Sequence, residues 1–264
     1  MPVVFLRTLT GTVRTRRANR QLGAVLAFVA GAVNAGGFLA VRQYTSHMTG
    51  IVSSIADELV LGNATLVLTG ICALLAFLTG AATTAILINW ARHRHMHSEY
   101  AVSLALEALL LLVFGLLGAN LENYFVVMLP ATVVLLCFIM GLQNAIITKL
   151  SRAEIRTTHV TGLVTDLGIE LGKLVYWNRH QQVGSASFVA ANRDKMIIHA
   201  TILGMFFFGG VLGAFSFKHI GFSSTLPLAA GLLAMAAIPL LDDVGVSWQR
   251  RKARRAALID RGSL

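Results

Sequence analysis

Two stretches of the chain carry the same polar residues at the same spacing. Thr45-Ser46-His47-Met48-Thr49-Gly50 returns 112 residues later as Thr157-Thr158-His159-Val160-Thr161-Gly162. Each copy follows an apolar segment holding Gly-x-x-Asn, with Gly31 and Asn34 before the first and Gly141 and Asn144 before the second. Two chemistries fit this set. A Ser or Thr ahead of an apolar run satisfies a free N–H at a helix start, which makes each motif a capped helix with a hydrogen-bonded histidine. Alternatively, glycine lets a ligand come close to the backbone. Asn34, His47, Thr49 and Gly50 with Asn144, His159, Thr161 and Gly162 then form a symmetric site for a substrate or ion.

A glutamate follows each histidine at +11, Glu58 and Glu170. With 3.6 residues per turn, eleven positions return almost to the same helical face, and Ser54 and Asp166 at +7 share it. Such a stripe lines a cavity or proton path, or forms the solvated face of an interfacial helix. Histidine and glutamate three turns apart, roughly 16 Å by helical rise, cannot share one ion, so no metal site is expected. There is no G-x-S-x-G, H-E-x-x-H or P-loop. Neither catalytic residues nor a cofactor are expected, and the chain is not read as an enzyme.

The elements that must position these residues are membrane helices. Charged residues make up only 13% of the chain and hydrophobic ones 56%, where a soluble domain carries about a quarter charged residues. Several apolar stretches approach the roughly 20 residues that span a hydrocarbon core. Six spans are expected, at 22–41, 66–89, 101–118, 125–148, 196–217 and 224–241. Segments 48–61 and 160–177, each starting at the repeated motif, are too short or too polar to be comfortable spans.

Basic residues decide the topology, because Lys and Arg collect on the cytoplasmic side. Six spans with the N-terminus inside place 20 of the 22 Lys and Arg inside and leave Arg42 and Lys218 outside. If both short segments crossed, the division would be 15 to 7. Each repeat then holds three spans, so the second half enters from the opposite side, as in inverted-repeat transporters. The expected fold is an all-α polytopic bundle, an inverted 3+3 repeat with two extra short or re-entrant helices. Its parts are a basic cytoplasmic tail (1–21), a first repeat (22–124), a second repeat (125–241, with a cytoplasmic segment at about 149–195) and a basic cytoplasmic tail (242–264).

The net charge of +10 is accounted for by these loops and tails, so no nucleic-acid partner is expected. The cluster Arg250-Arg251-Lys252-Ala253-Arg254-Arg255 reads as an anchor for anionic lipids, and the Arg92–His97 loop as a headgroup-facing one. Asn34 and Asn144 sit among small residues and serve as interhelical glue or as solute-coordinating amides. Ala76/Gly80 and Gly209/Gly213 are small-residue packing faces. Cys72 and Cys137 lie in apolar segments and read as core residues. Glu107, in Ala105-Leu106-Glu107-Ala108-Leu109-Leu110, is the sharpest single residue. A carboxylate at that depth must face the bundle interior, pair, or carry a proton. With Glu58, Asp166 and Glu170 it is a candidate for proton coupling.

At Gly31-x-x-Asn34-Ala35-Gly36-Gly37-Phe38, Ser46-His47-Met48-Thr49-Gly50, Gly141-Leu142-Gln143-Asn144-Ala145 and Thr158-His159-Val160-Thr161-Gly162 the chain resembles the YoaK family of bacterial inner-membrane proteins, also described as a domain of unknown function. The resemblance covers most of residues 20–240. It implies a multi-pass protein of the bacterial inner membrane and no particular biochemistry. Many relatives carry an acidic residue where Asn34 stands and Asn where Ile51 follows Gly50, so the resemblance implies no ionised ligand at position 34 here. The reading reached is a small-solute secondary transporter or permease, its partners the bilayer and an unknown, anionic or zwitterionic solute. The alternative is a non-transporting membrane scaffold or envelope-stress factor. The oligomeric state stays open, a homo-oligomer included.

Overall fold

A computed structural model describes residues 16–94, 96, 99–121, 125–150, 160–176 and 189–261. In a hydrocarbon medium every backbone polar group must be satisfied internally, and the apolar runs accordingly form helices. They are α1 (Arg16–Val41), α2 (Met48–Val60), α3 (Ala64–His93), α4 (Ala101–Ala119), α5 (Phe125–Leu150), α6 (Val160–Val175), α7 (Arg193–Ile220) and α8 (Thr225–Arg261), with a 3₁₀ turn at Gly221–Ser224. The two short helices start at Met48 and Val160, the same point of the repeated motif.

Five stretches are long and apolar enough to cross a membrane, where six separate spans are expected from sequence. The fifth, Arg193–Asp243, runs for 51 residues and is broken within by the turn. Gly221 there has φ +68°, a conformation that side chains disfavour and glycine adopts freely. It separates α7 from α8, which stand where spans 196–217 and 224–241 are expected. Both basic tails are helical where described: α1 begins at Arg16 and α8 runs on to Arg261. Arg, Ala, Gln and Leu are good helix formers, and neither glycine nor proline occurs between Val246 and Arg261.

The packing pairs each half with the other. α1 lies parallel to α7, with Gly23 against Ile202, Gly31 against Phe206 and Gly36 against Phe217. α3 lies parallel to α5, with Gly80 against Phe138 and the Thr84 hydroxyl donating to the Leu142 carbonyl at 2.9 Å. The contacts are reciprocal. A β-carbon on Gly31 would fall on the carbonyl oxygen of Phe206, and one on Gly209 would fall on that of Phe28. In the other pair, a β-carbon on Gly141 would meet the carbonyl of Phe77, and one on Gly80 that of Phe138. Four Phe-x-x-Gly segments therefore make two matching interfaces in which backbones touch, as small residues permit in membrane bundles.

α1 and α5 cross in opposite directions. The Gln143 amide donates to the Leu26 carbonyl at 3.1 Å, and further along Leu136 packs on Gly37. α4 meets the start of α8 through Gly115 at Thr225, and the 3₁₀ turn through Gly118 at the Phe222 ring, which stands edge-on to Phe114 at 5.7 Å.

Substitution tests this packing directly. Gly31→Ala and Gly141→Ala should each lower stability by about 1–3 kcal/mol, the usual cost of overpacking. Gly168→Ala and Gly204→Ala, with open space around them, should be neutral or slightly stabilising, since glycine costs a helix up to about 1 kcal/mol against alanine. Thermal unfolding of the purified protein in one detergent separates the two pairs.

Candidate functional site

After α1 the chain turns back on itself. Arg42 takes φ +56°, a left-handed conformation that ends the helix. Residues 43–47 then run back beside its last turns: Tyr44 stacks on Phe38 at 4.6 Å, Thr45 is buried beside Gly37, and the Ser46 hydroxyl donates to Asn34 Oδ1 at 2.9 Å. Asn34 lies eight residues before Arg42, about 12 Å down the helix axis. α2 thus begins well inside the bundle, and its 13 residues run back beside the start of α3, where Ile55 packs on Gly70.

The expected Ser/Thr cap is not what starts α2. His47 occupies the N-cap position with no side-chain capping bond, while its carbonyl accepts from Ile51 N–H at 3.1 Å. Ser46 is already committed to Asn34. A β-carbon at Gly50 would overlap the His47 ring, so glycine there is what lets the imidazole lie over the first turn. Asn34 Oδ1 thus accepts from the returning loop.

The second half repeats the arrangement as far as it is described. Asn144 and Ala145 are half-buried between buried Gly141–Gln143 and buried Ile146–Ile147, as Asn34 and Ala35 are between Gly31–Val33 and Gly36–Gly37. Asn144 Nδ2 donates to the Met140 carbonyl at 2.8 Å, and Thr148 Oγ1 donates to the Asn144 carbonyl at 2.7 Å. Thr161 and Gly162 stand in the first turn of α6. His159 lies outside the described residues, as do Thr157 and Thr158.

Both halves open on one cavity of about 1050 Å³. Asn34, Ser46, His47 and Thr49 face it from the first half, and Asn144, Thr148, Lys149 and Thr161 from the second. Its apolar wall includes Phe77, Ala81 and Phe206. Small-molecule sites have volumes of about 300–1,000 Å³, mostly apolar walls and a few convergent polar groups. Among the described residues, the polar groups on its wall are amides, hydroxyls, the His47 imidazole and the Lys149 ammonium. Sequence reasoning missed Tyr44, Lys149 and Phe206. Thr148, four residues after Asn144, was within reach of the helical period.

The four acidic candidates sit elsewhere. Glu58 accepts from the Asn63 side chain, and Asn63 stands at the N-cap of α3. Glu170 accepts from the Asn192 backbone N–H at 2.7 Å and from Lys173 at 2.9 Å, and Asn192 caps α7. Each glutamate therefore ties the far end of a short helix to the start of the next long one. Asp166 lies 3.4 Å from Lys195 Nζ and 3.8 Å from His199 Nδ1. Glu107 is fully buried in α4, and neither of its oxygens has a hydrogen-bond partner among the described residues.

Residues 22–238 match the family described as "Protein of unknown function (DUF1275)". The chain belongs to that family. No curated protein matches it, and no solved structure does. With its long apolar helices, this DUF1275 member is a multi-pass membrane protein.

The Glu170 tether gives a pH dependence. The Asn192 N–H, then Lys173, hold its carboxyl below the ordinary value of 4.5. A depressed carboxylate contributes stability that is present above its unfolded pKa and is lost as pH falls through the folded one. Hydrogen-exchange protection of the Asn192 amide and the end of α6 should therefore persist at neutral pH and fall below about pH 4.5. In Glu170→Gln that protection should already be weakened at pH 7.

Proposed function

We propose that this protein is a secondary transporter or permease for a small solute, with its central site in the cavity where the two motif copies meet. The carrying observation is that polar residues from both halves, on elements 112 residues apart in the repeat, line one cavity. In this reading the chain crosses the membrane six times with both termini cytoplasmic. α1, α4 and α7 run outward, and α3, α5 and α8 run inward. The parallel pairs α1/α7 and α3/α5 and the opposed α1/α5 crossing fit those directions, and so does the charge asymmetry of the loops. α2 and α6 enter from opposite sides as re-entrant helices, which membranes tolerate where the backbone is buried in protein or lines a cavity.

Inverted repeats of this kind move one bundle against the other around a fixed central site. Here α1/α7 and α3/α5 are the two rigid pairs, and the cavity lies between their Phe206 and Phe77 faces. Glu107 is the candidate proton-coupling carboxylate, acting from within α4 rather than from the cavity wall.

Cysteine accessibility tests the proposal. Thr49→Cys and Thr148→Cys, each in a Cys72→Ala background, are exposed to a membrane-impermeant maleimide in right-side-out and in inside-out vesicles. A carrier should show labelling of each cysteine from both sides, with rates that change in opposite directions when substrate-bearing cell extract is added. Both cysteines inert from either side would contradict a solute pathway.

A further inference from the structure

The cavity wall carries a charge asymmetry that the repeat does not require. Lys149 in the last turn of α5 corresponds to Leu39 in α1, 110 residues earlier. A lysine in that turn offsets the helix dipole, but this one also faces the cavity and is half-buried. Among the described residues no carboxylate lies within ion-pair distance of it, and no Asp or Glu lines the cavity. A half-buried ammonium at the cavity wall favours an anion and penalises a cation.

The Leu39 side of the repeat offers the opposite chemistry. A second cleft of about 460 Å³ lies between α1 and α7 and shares Asn34, Tyr44, Val160 and Phe206 with the first cavity. Otherwise its lining is apolar, with Phe38, Leu39, Leu203, Phe207 and Val211 among it. Phe207 and Val211 are 71% and 50% exposed on the outer face of α7, so the cleft reaches the lipid-facing side of the bundle. The larger cavity, with one cation among its few polar groups, therefore adjoins an apolar slot across four shared residues.

We infer that the site takes an amphiphilic organic anion, with a carboxylate or similar head at Lys149 and a hydrocarbon body in the α1–α7 cleft. This rests on the cavity being a solute site, as proposed above, and adds what the solute must be. Head recognition comes from the Lys149 ammonium, which has no carboxylate within ion-pair distance among the described residues. Tail recognition comes from apolar area, which gives roughly fourfold in affinity per methylene if each buries fully, at about 0.8 kcal/mol.

The test is equilibrium binding of radiolabelled octanoate to the full chain in phosphatidylcholine nanodiscs, with empty nanodiscs subtracted. Octanoate should bind saturably and at least tenfold more tightly than butanoate, and octylammonium should not displace it. Lys149→Gln should lose at least tenfold in octanoate affinity, and Lys149→Arg should retain most of it. No saturable octanoate binding by wild type, equal displacement by octylammonium, or unchanged affinity in Lys149→Gln would overturn the inference. The wild-type ligand series decides even if a variant fails to fold. Saturable, Lys149-dependent binding without counterflow in proteoliposomes would support the ligand class and sink transport. Counterflow of a short hydrophilic solute without octanoate binding would do the reverse.

Discussion

Apolar side chains gain little by leaving lipid for another helix, so helices in a membrane associate by close packing and a few hydrogen bonds. In this bundle that constraint is met at Gly31, Gly80, Gly141 and Gly209, where the missing side chain lets one backbone touch the carbonyl of another. The four glycines fix α1 to α7 and α3 to α5, and each pair takes one helix from each half of the chain. Because the halves are interlocked in this way, the loop that returns from α1 and the helix start that follows α5 are brought to the same place. The cavity follows from that pairing.

The polar residues then divide by task. Those at the start of α2 and α6 face the cavity, while the glutamates three turns further on secure the opposite ends of the same helices. Asn63 and Asn192 receive them, each at the cap of the next long helix. α2, held through Ser46 at one end and Glu58 at the other, has a fixed depth in the bundle, which keeps its first turn aimed at the cavity. His199 and Asp166 belong to this anchoring region as well, and their first-half counterparts, Gly70 and Ser54, are uncharged. The two ends of the molecule are thus related in architecture but not in charge.

Much of this was legible in the sequence because duplication leaves a fixed spacing and membrane burial leaves long apolar runs. The motif marked where α2 and α6 begin, and the Gly/Ala pairs marked packing faces. Helical period also placed Glu58 and Glu170 on the stripe of their histidines. Period gives a face, however, and not a partner, so it could not show that the stripe leaves the cavity before it reaches the acids. Nor could it show that Ser46 spends its hydroxyl on Asn34 instead of capping α2. That bond depends on Arg42 turning the chain back, and an arginine at positive φ has no signature in composition or spacing. The helix pairings were hidden for the same reason, because Phe-x-x-Gly becomes informative only when both members of a contact are known.

The meeting of the two motif copies is tested most directly by crosslinking Thr49→Cys to Thr161→Cys in a Cys72→Ala chain, one chain per nanodisc, with a short bis-maleimide. A crosslinked peptide pair joining the two positions within one chain, found by mass spectrometry in high yield, is the expected result. Efficient mono-labelling at both positions with no crosslinked pair would contradict a shared cavity.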